Sequence, residues 1–151
     1  MLDALKKLFS GGAGAPELDE QERLRHSVAA LLHEMTRVDM HVRPEDTEHA
    51  LEALIDLLGL DAARADALLA HAAQPANRLT SYFDAVSAVN RSFSQEQKIR
   101  LVEHLWRVAH ADDALDLHED HLVRKISDLL YVPHIESMLA RQRVRASRGA
   151  G

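Results

Sequence analysis

Cysteine is absent from this chain of 151 residues. Its absence excludes disulfides, cysteine-based zinc sites and thiol nucleophiles, and it fits the reducing environment of the cytoplasm, which is the expected location. Aromatic residues are scarce as well: one tryptophan, two tyrosines and three phenylalanines. Alanine and leucine dominate the apolar residues instead, which favours helices over sheets.

Long apolar runs and an excess of positive charge are also missing. No stretch approaches the roughly 18 apolar residues that a membrane span needs, and no signal peptide is recognisable at the start. The net charge of −6 argues against nucleic acid as a partner. No glycine-rich phosphate loop, nucleophile elbow or Ser/His/Asp set stands out, so we expect no enzymatic activity.

Helical periodicity covers most of the chain. Apolar residues recur every 3.6 residues from Leu24 to Val38, and later stretches repeat this pattern between turn signals. The helix boundaries are marked by residues that favour a first helical turn, a helix cap or a helix end. These residues are Pro44, Gly59, Asp61, Ser94 with Gln97, Asp116 with Glu119, and Pro133. No alternating strand pattern occurs. The sequence therefore predicts an all-α fold of about seven helices in a single bundle-like domain.

Four segments follow from this pattern. They are a short amphipathic segment (1–9), a flexible linker (10–16), the helical domain (17–140) and a basic tail that we expect to be disordered (141–151). The first segment could dock on the body or make at most weak contact with a membrane surface, because two lysines on two turns do not anchor stably. The residues expected to be largely buried are Leu31, Leu32, Met35, Leu54, Leu58, Phe83, Val102, Leu105, Trp106, Ile126 and Leu130.

A nine-residue pattern occurs twice, at 38–46 and at 111–119. Each copy has an acid, a branched apolar residue three positions later and a second acid seven positions later, and an apolar helical stretch follows. The matching residues are Asp39, Val42 and Asp46 in the first copy and Asp112, Leu115 and Glu119 in the second. We interpret this as an internal pseudo-repeat whose halves share one core. The two acidic corners could then lie near each other.

The acids at these corners have two interpretations. As helix caps, they would satisfy backbone N–H groups and complement the positive end of the helix dipole, and Asp116 with Glu119 has capping-box spacing. As a cation site, they would suit calcium or magnesium, with zinc favoured only if His110 or His118 joins. The candidate metal ligands are Asp39, Asp46, Asp112, Asp113, Asp116 and Glu119. The second corner is richer in carboxylates, so a specific cation should bind there.

Ten histidines are present. His118 and His121 lie one helical turn apart and could hold zinc, nickel or copper with a nearby carboxylate. Their surroundings read His-Glu-Asp-His rather than His-Glu-x-x-His, so no zinc-peptidase activity follows. Adventitious affinity for transition metals is the favoured interpretation, and most of the other histidines should be solvated.

The repeated corner, a helix ending in Ala-Asp or Val-Asp with an acid opening the next helix, resembles the TerB family over about residues 20–140. The resemblance implies an all-α fold of about seven helices with internal pseudo-symmetry. It also implies a cytoplasmic stress-response setting such as tellurite resistance, a role in metal binding or protein interaction, and no established enzymatic activity. The family's acids fall on Asp39, Asp46, Asp112 and Glu119. The family usually has glycine after the first acid, where this chain has Met40 and Asp113.

Two functional hypotheses stay open. The first is a stress-response module that binds a divalent cation, calcium or magnesium before zinc, through the acidic corners. The second is a protein-interaction scaffold in which the acids serve only as helix caps. Both hypotheses include an unidentified protein partner, which could be a second copy of the chain in a homodimer. Neither includes nucleic acid.

Overall fold

The structure, a computed structural model, describes residues 14–37, 43–109 and 117–149. Within these ranges it contains seven α-helices, one 3₁₀ turn (Pro75–Asn77) and no strand, so the all-α prediction is confirmed. The helices are α1 (Gly14–Thr36), α2 (Pro44–Leu58), α3 (Ala62–Ala73), α4 (Tyr82–Ser92), α5 (Gln95–Ala109), α6 (Leu117–Leu129) and α7 (His134–Gly149).

Short-range signals place several helix ends as predicted. The Ser94 N–H donates to Gln97 Oε1 at 2.8 Å, and the Gln97 N–H donates to Ser94 Oγ at 3.2 Å, which completes the capping box before α5. Asp61 Oδ1 accepts the Arg64 N–H at 2.8 Å at the start of α3. Each bond satisfies a backbone N–H that has no partner within its helix.

Helices α2 and α6 end in the same backbone conformation. Gly59 follows α2 at φ 66°, and Tyr131 follows α6 at φ 59°, so both residues are left-handed. Each lies at the end of the apolar helical stretch that follows one copy of the sequence pattern. Glycine adopts this conformation without cost, whereas tyrosine does not. The three-dimensional pseudo-repeat as a whole stays a prediction.

Helices α1 and α5 are the centre of the packing. Helix α1 contacts α2, α3, α4 and α5, and α5 also contacts α2, α6 and α7. Trp106 on α5 is fully buried, and its indole N–H donates to Ser137 Oγ on α7 at 3.3 Å. Nine of the eleven residues expected in the core are buried, and Leu58 is partly buried against them.

Phe83 is the exception, because its side chain is 67% exposed and the prediction of a buried position was wrong. Helix α4 begins only at Tyr82, where Ser81 Oγ accepts the Phe83 N–H at 3.1 Å. Phe83 therefore lies in the first turn, on the outer side. Ala85, Val86, Ala88 and Val89 form the buried face instead.

Two segment boundaries also differ from prediction. The tail 141–151 was expected to be disordered, but α7 continues to Gly149, with Ala140 and Val144 buried one turn apart. The guanidinium of Arg141 lies 5.3 Å from the ring centre of Trp106, which adds a cation–π contact. The expected linker overlaps α1, which begins at Gly14 and includes Pro16, a residue tolerated in a first turn. The segment 1–9 lies outside the described residues.

Candidate functional site

Two of the six predicted metal ligands, Asp46 and Glu119, belong to the described part of the chain. The other four, Asp39, Asp112, Asp113 and Asp116, lie outside the described residues, as does His110.

Asp46 and Glu119 occupy the same position in their helices. Each is the third residue of its helix, α2 or α6, and each is only 8% exposed. Asp46 Oδ2 accepts the backbone N–H of Arg43 at 3.2 Å. A full capping box would also need the Asp46 backbone N–H to donate to the Arg43 side chain. This bond cannot form, because a guanidinium has no hydrogen-bond acceptor. Asp46 therefore caps α2 whatever else it binds.

The described residues that flank both corners line one cleft. Arg37 immediately precedes the first undescribed corner, His118 lies in the first turn after the second, and both line a cavity of about 490 Å³. The chain thus enters the first corner and leaves the second beside the same cavity. The other described residues that line this cleft are Glu34, Arg78, Tyr82, His121, Leu122 and Lys125.

Positive charge dominates among the described residues that line this cleft. Arg37, Arg78 and Lys125 are basic residues, and Glu34 is the one carboxylate among the described lining residues. Glu34 Oε1 lies 3.7 Å from Arg37 Nη1 and 3.9 Å from Arg78 Nε, and it accepts no hydrogen bond.

Tyr82 forms part of the wall of this cleft. The Lys125 ammonium lies 5.5 Å from the Tyr82 ring centre. Burial, reinforced by the charge of Glu34, raises the pKa of Tyr82, so its hydroxyl stays a neutral hydrogen-bond donor.

A polar cluster that the sequence did not predict lies between α2 and α5. His104 Nε2 lies 2.7 Å from Asp56 Oδ2, and Arg107 Nη1 lies 3.3 Å from His104 Nδ1. Because the guanidinium can only donate, Nδ1 accepts and Nε2 carries the proton that is donated to Asp56. Arg100 also pairs with Asp56.

The same cluster shifts two pKa values downward. Burial lowers the pKa of His104, and the hydrogen bond from His104 lowers the pKa of Asp56. A neutral imidazole with both nitrogens bonded joins two helices and has no nitrogen left to exchange protons with a ligand. The cluster therefore links α2 to α5 and offers no free imidazole nitrogen of His104 to a ligand.

Two further histidines meet between α1 and α3. The His26 and His71 ring centres are 4.8 Å apart in a cavity of about 330 Å³ that Glu22 also lines. Burial, with a smaller effect of His71, lowers the pKa of His26. Among the residues that the structure describes, no three histidine or acidic side chains are grouped so that they could hold a metal ion. His118 and His121 are exposed on α6.

A comparison with models of protein families gives a match that covers most of the chain. The family model described as tellurite resistance protein TerB matches residues 25–142, which is most of the chain. No curated protein and no solved structure matches. None of the helices in the described ranges combines the length and apolar character needed to cross a bilayer.

Proposed function

The chain belongs to the TerB family, and from that premise we propose that it is a non-enzymatic, cytoplasmic stress-response module that binds a divalent cation at its acidic corners. The observation that carries the proposal is the matched placement of Asp46 and Glu119. Both carboxylates are nearly buried at the third position of a helix, directly after a corner that holds further acids in the sequence.

Such a placement suits a cation for electrostatic reasons. A buried carboxylate is costly unless it is hydrogen-bonded, paired or coordinated. The helix dipole and backbone N–H groups offset part of that cost, as the bond from Arg43 to Asp46 does. A divalent ion would offset the repulsion among the remaining carboxylates of the corner and tie the loop to the helix start.

The ligand set supports a hard cation. Asp39, Asp46, Asp112, Asp113, Asp116 and Glu119 offer only carboxylate oxygens, which calcium and magnesium prefer. Zinc would need an imidazole such as that of His118. Without a preformed cage, we expect a dissociation constant of about 10⁻⁴ to 10⁻³ M.

Calorimetric titration of chelator-treated protein with calcium, magnesium, zinc and nickel tests this proposal. We expect binding heat with calcium or magnesium, and we expect it to persist in the variant His118→Gln/His121→Gln. The same variant should lose any zinc or nickel heat that comes from these histidines. The absence of calcium and magnesium heat up to about 10 mM would leave the acids with a capping role only.

A specific surface favours the alternative, a protein-interaction scaffold. The exposed apolar stripe consists of Ile135 and Leu139, one turn apart on α7, and of Tyr131 just before this helix, and their side chains are 64%, 41% and 76% exposed. Adjacent exposed apolar side chains of this size are typical of contact surfaces. We propose a second copy of the chain as the partner on this stripe.

Sedimentation equilibrium tests the alternative. Self-association should be lost in Ile135→Lys and kept in Arg145→Gln, which changes an exposed residue of α7 outside the stripe. A parent chain that stays monomeric up to about 1 mM would contradict self-association.

A further inference from the structure

We propose that the cleft between the end of α1, the segment before α4 and helix α6 binds a small oxyanion with two negative charges, of the phosphate type. This cleft is the cavity of about 490 Å³ that Arg37, Arg78 and Lys125 line. The proposal is independent of the cation site, because it rests on basic residues and on described positions alone.

Positive charge converges on this cleft from three separate parts of the chain. Arg37 comes from the end of α1, Arg78 from the segment between α3 and α4, and Lys125 from α6. Among the described lining residues they outnumber the single carboxylate, Glu34, in a protein whose net charge is −6. Like charges brought together by the fold repel one another, and a bound anion relieves that repulsion.

Glu34 does not use up the hydrogen-bond donors of Arg37 and Arg78. Its Oε1 is within ion-pair range of both but accepts a hydrogen bond from neither. The arginine side chains are 31% and 45% exposed, so their N–H groups are accessible from the cleft. A guanidinium donates in a fork that matches two oxygens of a phosphate.

Neighbouring groups complete the site. The neutral hydroxyl of Tyr82 can donate, and the Lys125 ammonium, held over the Tyr82 ring, adds a third charge. Helix α6 contributes His118 and His121 to the wall, and His118 lies in its first turn, where a helix carries partial positive charge.

The size of the cleft admits two sources of this anion. Its volume lies within the range of roughly 300–1,000 Å³ that small-molecule sites occupy. A second cavity of about 460 Å³ shares Tyr82 and Lys125 and adds the apolar side chains of Leu79, Phe83 and Leu129. The ligand is thus free phosphate or the phosphate group of a small organic molecule.

Calorimetric titration of chelator-treated protein at low salt, with inorganic phosphate and with phenyl phosphate, tests the proposal. We expect binding with a dissociation constant of about 1 mM or tighter. Arg78→Gln should weaken it on the order of tenfold, the value of one charge-assisted hydrogen bond. The control Arg91→Gln removes an equally exposed arginine that lies at the far end of α4 and pairs with Glu20 of α1. It should leave phosphate binding unchanged. Tighter binding of phenyl phosphate identifies the organic source, and equal binding identifies the free anion.

Glu34→Gln gives a test of opposite sign. It removes the competing negative charge without changing the shape of the side chain, so phosphate should bind several-fold more tightly. Glu96→Gln, which makes the same charge change on the exposed start of α5, should leave binding unaltered. Circular dichroism checks that each variant keeps its helicity. No phosphate binding at about 10 mM, equal losses in Arg78→Gln and Arg91→Gln, or weaker binding in folded Glu34→Gln would each overturn the proposal.

Discussion

Replacement of Gly59 by alanine isolates the cost of a left-handed helix end in this fold. Gly59 follows α2 at φ 66°, and its N–H donates to the Ile55 carbonyl at 3.0 Å. A methyl group added at this position would meet no atom within 4 Å. The substitution therefore changes backbone energetics alone and introduces no steric clash.

The size of the effect follows from two opposing contributions. Holding an L-residue in the left-handed region costs about 1–2 kcal/mol. Alanine also restricts the unfolded chain, which returns about 0.4–1 kcal/mol. We therefore expect Gly59→Ala to lower the free energy of unfolding by about 1 kcal/mol, or the melting temperature by about 2–4 °C for a chain of this length.

The left-handed residue that follows α6 predicts the reverse effect. Tyr131 is held at φ 59°, and its side chain is 76% exposed, so little packing is lost when it is removed. Tyr131→Gly should raise the free energy of unfolding by about 0.5 kcal/mol, since glycine relieves the strain. Tyr131→Ala is the control, because it removes the ring and keeps the strain, and it should give no gain.

Urea unfolding followed by circular dichroism measures all three variants. A neutral Gly59→Ala, or a Tyr131→Gly that is less stable than Tyr131→Ala, would refute the reasoning. Either result would mean that the left-handed conformation at these helix ends does not limit stability.

Two further predictions concern acidification and the last helix. Because folding lowers the pKa of His104, the folded state binds fewer protons than the unfolded chain. The stability that this difference provides is fully present above the ordinary histidine pKa of about 6.5. It is lost as the pH falls from there through the lowered pKa of the folded state. His104→Gln should therefore reduce the loss of unfolding free energy between about pH 7 and about pH 5 in urea titrations, and an unchanged slope would contradict the assignment. Val144→Asp should lower the melting temperature, because it places a charge at a position that is 1% exposed. The control Ala146→Asp, on the exposed side of α7, should not lower it. Equal effects of the two substitutions would mean that α7 does not pack on the core.

Features that depend on neighbouring residues could be predicted from the sequence. The capping box of Ser94 and Gln97, the cap at Asp61 and the stop at Gly59 each form within a few residues, so composition and spacing determine them. The buried stripes of the long helices follow for the same reason, since the 3.6-residue period fixes which side chains share a face.

The predictions of burial were wrong where burial depends on the residue at which a helix starts or on packing against a helix that is distant in the sequence. Phe83 has the right spacing for the core. However, the cap at Ser81 starts α4 only at Tyr82, so the side chain of Phe83 lies in the first turn and outside the core. The last segment looks solvated by composition, yet α5 and α7 pack together, and Val144 is buried one turn after the buried Ala140.

The clusters of charged residues could not be predicted, because their members are far apart in the chain. Asp56 and His104 are 48 residues apart, and nothing local marks either as a partner of the other. The basic cleft likewise draws on Arg37, Arg78 and Lys125 from three separate elements. Such sites depend on helix packing, which periodicity alone does not specify.

The central claim, a divalent-cation site at the acidic corners, is tested most directly by calorimetric titration of calcium into Asp112→Asn/Glu119→Gln. The parent should bind with a dissociation constant of about 10⁻⁴ to 10⁻³ M, and the double variant should give no binding heat while its helicity is nearly unchanged. The control Asp61→Asn/Glu96→Gln removes the same charges from two other helix starts and should bind as the parent does. If the Asp112→Asn/Glu119→Gln variant binds calcium as well as the parent, the claim is contradicted and the corner acids are helix caps only.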